Sequence, residues 1–167
     1  MTTKWQRLIK NFFITPIHAQ RCFPKSALER IHSAIVQSEK QHRGEIRFVL
    51  EHALSTGEVM REASARDRAT LYFSKLKIWD TEDNTGVLIY VLLAERSIEI
   101  LADRGINKAV GQAFWDEVCL AMQQDFRAQN YEQGVVKAIA TITQELIKHF
   151  PATGNNPNEL PDQPLIV

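Results

Sequence analysis

The stretch Gly86-Val-Leu-Ile-Tyr-Val-Leu-Leu-Ala94 decides the fold of this chain. No charged residue interrupts the apolar run that follows the glycine, and such a run is typical of a central β-strand covered on both faces. Residues 95–97 then turn the chain, and residues 98–103 (IEILAD) have the pattern of a second strand. The two strands are therefore predicted to form an antiparallel hairpin.

A third strand is predicted upstream, over residues 45–54 (EIRFVLEHAL). Ile46, Phe48 and Leu50 recur at every second position, which is the period of a half-buried strand. A helix-like stretch over roughly residues 59–77 separates this strand from the central one. Strands joined through a helix run parallel, so we expect a parallel crossover ahead of the hairpin.

Helices are predicted on both sides of this core along the chain. Residues 25–40 have one apolar face, and apolar residues recur at helical spacing from Val110 to Phe126 and from Val135 to Phe150. The order of elements predicts an α/β fold around a short mixed β-sheet, with a βαββ core followed by two helices.

Three segments are distinguished along the chain. Residues 1–20 contain a basic amphipathic helix, residues 21–150 the α/β domain, and residues 151–167 a Pro-rich tail. The tail has neither helical nor strand periodicity, so it should wrap the surface or be mobile.

Length and composition fit one globular domain. The chain has 167 residues, and its 20 basic residues balance its 20 acidic ones, which gives no general case for nucleic-acid binding. Cys22 and Cys119 lack metal or redox spacing, which favours a reducing cytoplasm. No apolar run approaches the length of a transmembrane helix.

The N-terminal helix has two interpretations. Residues 4–13 alternate basic side chains with Trp5, Ile9, Phe12 and Phe13 at helical spacing. The favoured interpretation is a helix that docks on the domain, because the segment is short. The alternative is peripheral contact with a membrane surface through residues 4–13.

Acidic residues are predicted to meet at one edge of the sheet. The connectivity places the start of the first strand, the start of the central strand and the end of the third strand side by side. Carboxylates brought together repel unless protons or a cation neutralise them, and a hard cation such as Ca²⁺ or Mg²⁺ prefers oxygen ligands. The polar residues at these places are Glu39, Glu45, Asp80, Glu82, Asp83, Asn84, Asp103 and Arg104.

Simpler explanations of these residues stay open. Acidic residues in turns are usually solvated, and Asp83-Asn84-Thr85-Gly86 is good turn chemistry without any ligand. Asp103 can pair with Arg104 or with an arginine of the crossover helix. The stretch that starts at Asp80 lacks the glycine and the terminal glutamate of an EF-hand.

Short motifs in the right order resemble the TPM domain family, which includes thylakoid-lumen acid phosphatase-type proteins. The resemblance extends over roughly residues 20–163, and the chain's ending is similar to a soluble bacterial subgroup. The motifs are Gly44-Glu-Ile-Arg-Phe-Val49, Trp79-Asp-Thr81, Asn84-Thr-Gly-Val-Leu-Ile-Tyr-Val91, Ile98-Glu-Ile100 and Ala102-Asp-Arg-Gly-Ile106.

The resemblance implies a three-layer α/β/α sandwich, bound divalent cations in some members and weak phosphatase activity in others. It implies Glu39, Asp80, Asn84 and Asp103 as ligand candidates here. Many members read Asn-Asn-Gly before the central strand, whereas this chain has an additional residue there.

Three functions are compatible with these patterns. The first is a non-catalytic binding or assembly module for an unknown protein partner, with a divalent cation at the acidic edge, because no catalytic motif is present. The second is a metal-assisted phosphomonoesterase in which Arg104 or Arg66 holds phosphate and Asp80 or Asp103 acts as base. The third is a structural adaptor without a ligand, and its best support is the amphipathic N-terminal helix.

Overall fold

The centre of the protein is a four-stranded mixed sheet in the order β3-β2-β1-β4. The structure is a computed structural model that describes residues 3–154 and 157–167. β1 and β2 run parallel and β2 and β3 antiparallel, which confirms the predicted crossover and hairpin. The strands are β1 (Glu45–Glu51), β2 (Gly86–Leu92), β3 (Ser97–Ala102) and β4 (Leu165–Ile166).

Helices occupy most of the remaining chain. None within residues 3–154 and 157–167 is both long and apolar enough to span a bilayer. The helices are α1 (Lys4–Phe13), α2 (Pro16–Cys22), α3 (Lys25–Glu39), α4 (Thr56–Met60), α5 (Ala65–Lys75), α6 (Arg104–Val110), α7 (Gln112–Arg127) and α8 (Tyr131–His149).

One stretch expected to be a single helix is divided, and a short helix that was not predicted, α6, precedes the helix predicted from Val110 to Phe126. The prediction of one helix over residues 59–77 was wrong, because Glu62 adopts φ 58° and the chain restarts at Ser64. Ser64 forms a capping box with Asp67, which fixes the beginning of α5. Farther along, Gly111 adopts φ 81° and separates α6 from α7.

The sheet is covered by helices on both faces, so the protein is the expected three-layer α/β/α sandwich. One face of the sheet packs against α3, α7 and α8, and the other packs against α4 and α5. All seven residues of β1 are buried, so the expectation of a half-buried strand was wrong. Leu160 of the tail packs with α4 and α5 in the hydrophobic cluster on one face of the sheet. It helps to cover the face of β1 that the period-two pattern had predicted to be exposed to solvent.

The tail contributes β4, which the sequence did not predict. Leu165 pairs with Val49 and Ile166 with Leu50 in parallel register. A strand of two residues is too short to show a period of two, and its place in the sheet follows from its partner β1. The tail therefore wraps the domain surface, which was one of the two predicted alternatives; the other was a mobile tail.

Candidate functional site

The strand register brings the expected three places to one edge of the sheet. Glu45, the first residue of β1, is paired with Gly86, the first residue of β2. Val87 is paired with Ala102, the last residue of β3. The predicted site residues lie along this edge in two groups with different surroundings.

The first group consists of Glu39 and Glu45, which are only 8% and 3% exposed. Glu39 ends α3, and its Oε1 accepts a hydrogen bond of 2.7 Å from the backbone N–H of Ile46. The Glu45 carboxylate accepts hydrogen bonds from the backbone N–H groups of Glu159, at 3.1 Å, and Leu160, at 3.2 Å. Glu45 thereby fastens the C-terminal tail across the start of β1.

Burial gives both carboxyl groups unusual acidities. Burial, with the charge of Glu45 second, raises the pKa of Glu39 to about 9. Burial likewise raises the pKa of Glu45 to about 7, although its two backbone hydrogen bonds act in the opposite direction. Desolvation disfavours the charged form, so near neutral pH this pair retains at least one proton.

Two further members of this group, Arg47 and Asp162, were not predicted from the sequence. Arg47 is buried, and its Nε and Nη1 atoms have no hydrogen-bond partner within the described part of the chain. Burial lowers the pKa of Arg47, and the charges of Asp162, Glu39 and Glu45 oppose that effect. The period of two along β1 places Arg47 on the same face as Glu45, so that signal was present. The aperiodic tail gave no signal for Asp162.

The second group lies where β3 meets α6. Asp103 is the N-cap of α6, and its Oδ1 accepts a 2.7 Å hydrogen bond from the backbone N–H of Arg104. The Arg104 Nε atom donates to Asn84 Oδ1 at 3.0 Å. Asp103 Oδ2 is buried and has no hydrogen-bond partner among residues 3–154 and 157–167.

Gly105 allows the loop before β2 to approach α6. The backbone N–H of Gly105 donates to the Asn84 carbonyl at 2.9 Å. A Cβ atom at Gly105 would lie 2.4 Å from the Asp83 carbonyl oxygen and 2.5 Å from that of Asn84, so a larger residue does not fit. Asn84 itself adopts φ 55°, a conformation that asparagine tolerates better than most residues.

The family of TPM domains matches residues 19–145, which is most of the chain. This chain belongs to the TPM domain family. No curated protein matches it.

Two solved structures resemble the TPM chain. The NMR structure of the BA42 protein from the psychrophilic bacterium Bizionia argentinensis has 34% identity and a TM-score of 0.75, with coverage of 85% of this chain and 93% of that one. The N-terminal domain of a P. gingivalis protein has 16% identity and a TM-score of 0.60, with coverage of 78% and 83%. The second similarity supports the fold alone.

The remaining candidates of this TPM domain are more dispersed. Asp80 is exposed, and its side chain makes no hydrogen bond or ion pair within the described residues. Asp83 forms an ion pair with Arg43, which neutralises it internally. Across residues 3–154 and 157–167, no three His, Cys, Asp or Glu side chains already converge in a metal-binding arrangement. The edge thus holds a buried carboxylate pair and a separate capped aspartate.

Proposed function

We propose that this TPM domain is a non-catalytic binding module whose acidic edge takes up a divalent cation, Ca²⁺ or Mg²⁺, through Glu39 and Glu45. The observation that carries the proposal is the burial of two neighbouring carboxyl groups whose pKa values are raised to about 9 and about 7. Such groups must be neutralised, and a hard cation can replace the protons that do so.

The surroundings of the pair favour a cation that also orders the tail. The charge of Asp162 raises the pKa of both glutamates, so we expect Asp162 to provide the third carboxylate once a cation is bound. Glu45 already holds the backbone of Glu159 and Leu160. A cation shared by Glu45 and Asp162 would fasten the tail more tightly and present one fixed surface to a partner.

Calorimetric titration with Ca²⁺ and Mg²⁺ tests this proposal. We expect saturable binding that is lost in the Glu39→Gln, Glu45→Gln double variant, because glutamine keeps the shape and removes the charge. Metal ligands must lose their protons, so binding near pH 7 should release about one to two protons per ion. The heat should therefore depend on the ionisation enthalpy of the buffer.

The matched control is the Glu29→Gln, Glu117→Gln variant, which removes two exposed carboxylates outside the acidic edge. It should bind like the wild type. Titration of the Asp80→Ala, Asp103→Ala variant tests whether the other candidate residues along this edge also supply ligands. Flat titrations of the wild type, or binding that survives loss of Glu39 and Glu45, would overturn the assignment.

A second candidate function is metal-assisted phosphomonoester hydrolysis at the capped aspartate. It is favoured by one observation, the unpartnered Oδ2 of Asp103 beside the exposed side chain of Arg104. The carboxylate could accept a proton while the guanidinium held a phosphate oxygen. Hydrolysis of an aryl phosphate should then follow the protein through purification and fall at least tenfold in Asp103→Ala, as loss of a general base does. Unchanged activity in that variant would indicate a contaminant.

A further inference from the structure

The first helix rests on the domain by its polar side. Arg7 donates from Nε to Glu95 Oε1 at 2.8 Å and from Nη2 to the Ala63 carbonyl at 2.6 Å. One turn later, Asn11 is buried, and its Oδ1 accepts a 2.6 Å hydrogen bond from the backbone N–H of Leu54. These contacts confirm that α1 docks on the domain, and they fix which side of it faces outward.

The outward side of α1 is apolar. Trp5, Phe12 and Phe13 are 76%, 81% and 71% exposed, and Ile9 between them is also exposed. Positions 5, 9, 12 and 13 share one helix face, so these side chains form a continuous patch. Ile17, in α2, is exposed as well. Water-exposed apolar patches of this kind mark interaction surfaces.

A cavity of about 910 Å³ lies beside this patch. Ile9 and Phe13 of the patch line it together with Val91 of β2, Leu93 directly after β2, and Ile98 of β3. The charged side chains that line it are Lys10, Arg96 and Arg127, and no acidic residue of the described chain lines it. The charged residues that line the cavity beside the apolar patch are therefore all positive.

We propose that the outward face of α1 and the adjoining cationic cavity bind the surface of an anionic lipid bilayer. The aromatic side chains would enter the interfacial region, and Lys10, Arg96 and Arg127 would lie among the headgroups. Aromatic and apolar residues flanked by cations are what an interfacial helix requires.

Charge decides between a bilayer and a second copy of the chain. A symmetric dimer through α1 would bring Lys10, Arg96 and Arg127 of both copies together, and like charges disfavour that contact. The Glu95 carboxylate, which might have compensated them, is already engaged by Arg7 and Asn11. An anionic surface neutralises every one of these cations without such repulsion.

Co-sedimentation with lipid vesicles tests the proposal, using vesicles of phosphatidylcholine alone and vesicles with roughly 30% phosphatidylglycerol. We expect binding to the anionic vesicles only, at low salt, with a blue shift of Trp5 emission in a Trp79→Phe background. The Phe12→Ser, Phe13→Ser variant should bind at least about tenfold more weakly, since two aromatic anchors are lost. The Lys10→Glu, Arg127→Glu variant should bind with a similar loss.

The control variant is Leu71→Ser, Leu120→Ser, which removes two apolar side chains that are exposed elsewhere on the surface. It should bind like the wild type, and thermal melts of all variants should coincide. Absence of vesicle binding by the wild type overturns the proposal. Equal binding to neutral and anionic vesicles also overturns it. The same holds for a dimer that dissociates in the Phe12→Ser, Phe13→Ser variant, and for binding of an acidic polypeptide in preference to lipid. None of these outcomes depends on the cation site, which lies at the other end of the strands, where β1 and β2 begin.

Discussion

Glu45 and Glu51 stand at opposite ends of β1, on the same face of the sheet, and both are almost completely buried. Their partners differ. Glu51 is held by the guanidinium of Arg68 through two nitrogens, and Tyr90 donates its O–H to Glu51 Oε2 at 2.5 Å. Among the described residues, the Glu45 carboxylate accepts hydrogen bonds from just the two backbone N–H groups of the tail. The nearby cation, Arg47, makes no hydrogen bond through Nε or Nη1 to any described residue.

Glu51 is thus a buried carboxylate that is hydrogen-bonded to a cation, whereas Glu45 has no hydrogen-bonded cation among the described residues. Two charge-assisted hydrogen bonds from a planar guanidinium compensate the desolvation of Glu51, so that end of β1 needs nothing from outside. At the other end, Glu39 and Glu45 keep protons that a cation can replace. We therefore expect the Glu51 end to contribute stability and the Glu45 end to respond to pH and to ions.

The largest expected effect is a dependence of stability on pH that arises at the Glu45 end. Both folded pKa values, about 9 for Glu39 and about 7 for Glu45, lie above the ordinary value of 4.5. The folded state therefore binds more protons than the unfolded state between these limits, and the free energy of unfolding should fall as pH rises from 5 toward 9. The fall should amount to roughly several kcal/mol over this range.

Urea denaturation across this pH range, without divalent ions, measures the slope. The Glu39→Gln, Glu45→Gln variant should show almost no dependence of stability on pH, while Glu29→Gln, Glu117→Gln should keep the wild-type slope. Added Ca²⁺ or Mg²⁺ should restore stability at the alkaline end if the cation replaces the protons. A wild-type slope of the opposite sign would show that the two carboxyl groups are not destabilised by burial.

At the Glu51 end, we expect a large loss of stability from Arg68→Met. The substitution leaves Glu51 buried without its cation, and Glu58 also loses its ion pair. Breaking a buried pair in this way costs about 3–5 kcal/mol in free energy of unfolding. Arg66→Met is the matched control on the same helix, because its pair with Glu99 is largely exposed and should contribute less than about 1 kcal/mol. Equal effects of the two substitutions would remove the distinction on which the comparison depends.

A smaller effect is expected from Tyr90→Phe, which deletes only the hydroxyl that donates to Glu51. A hydrogen bond to a charged group is worth about 1.5–3 kcal/mol, and Arg68 still compensates the carboxylate. Tyr72→Phe provides the control, since the Tyr72 hydroxyl accepts a longer, 3.1 Å hydrogen bond from Arg68. Equilibrium denaturation should rank Tyr90→Phe as the more damaging of the two, and the reverse order would mean that Glu51 does not depend on Tyr90.

The two ends of β1 also differ in how far the sequence could predict them. The apolar run at Gly86 and the helix-like stretch before it were enough to predict the parallel crossover, and hence the meeting of Glu45 with the start of β2. The sequence could not show that Glu45 and Arg47 are buried, because their cover includes a tail segment without periodicity. Asp162 enters the acidic group through the same tail.

Other differences had a visible cause in the sequence. The Ser64-x-x-Asp67 pattern marks a new helix start, so the division between α4 and α5 could have been predicted from it. The ion pair between Glu51 and Arg68 could not, because many registers between β1 and α5 satisfy the same hydrophobic pattern. The observed register is the one in which Tyr72 packs against Tyr90, with their stacked ring centroids 5.9 Å apart.

The smallest expected change in stability comes from Arg47→Met, although Arg47 is more deeply buried than Arg68. Its Nε and Nη1 atoms gain no hydrogen bond within the described chain, so removing the guanidinium relieves a desolvation cost and loses only long-range attraction to the acidic group. These terms oppose each other, and we expect a change within about 1 kcal/mol in the free energy of unfolding. The same substitution removes a positive charge beside Glu39 and Glu45, so it should tighten binding of Ca²⁺ or Mg²⁺ in a calorimetric titration. A severe loss of stability, comparable to that of Arg68→Met, would mean that Arg47 neutralises this edge by itself, and the case for an external cation would fail with it.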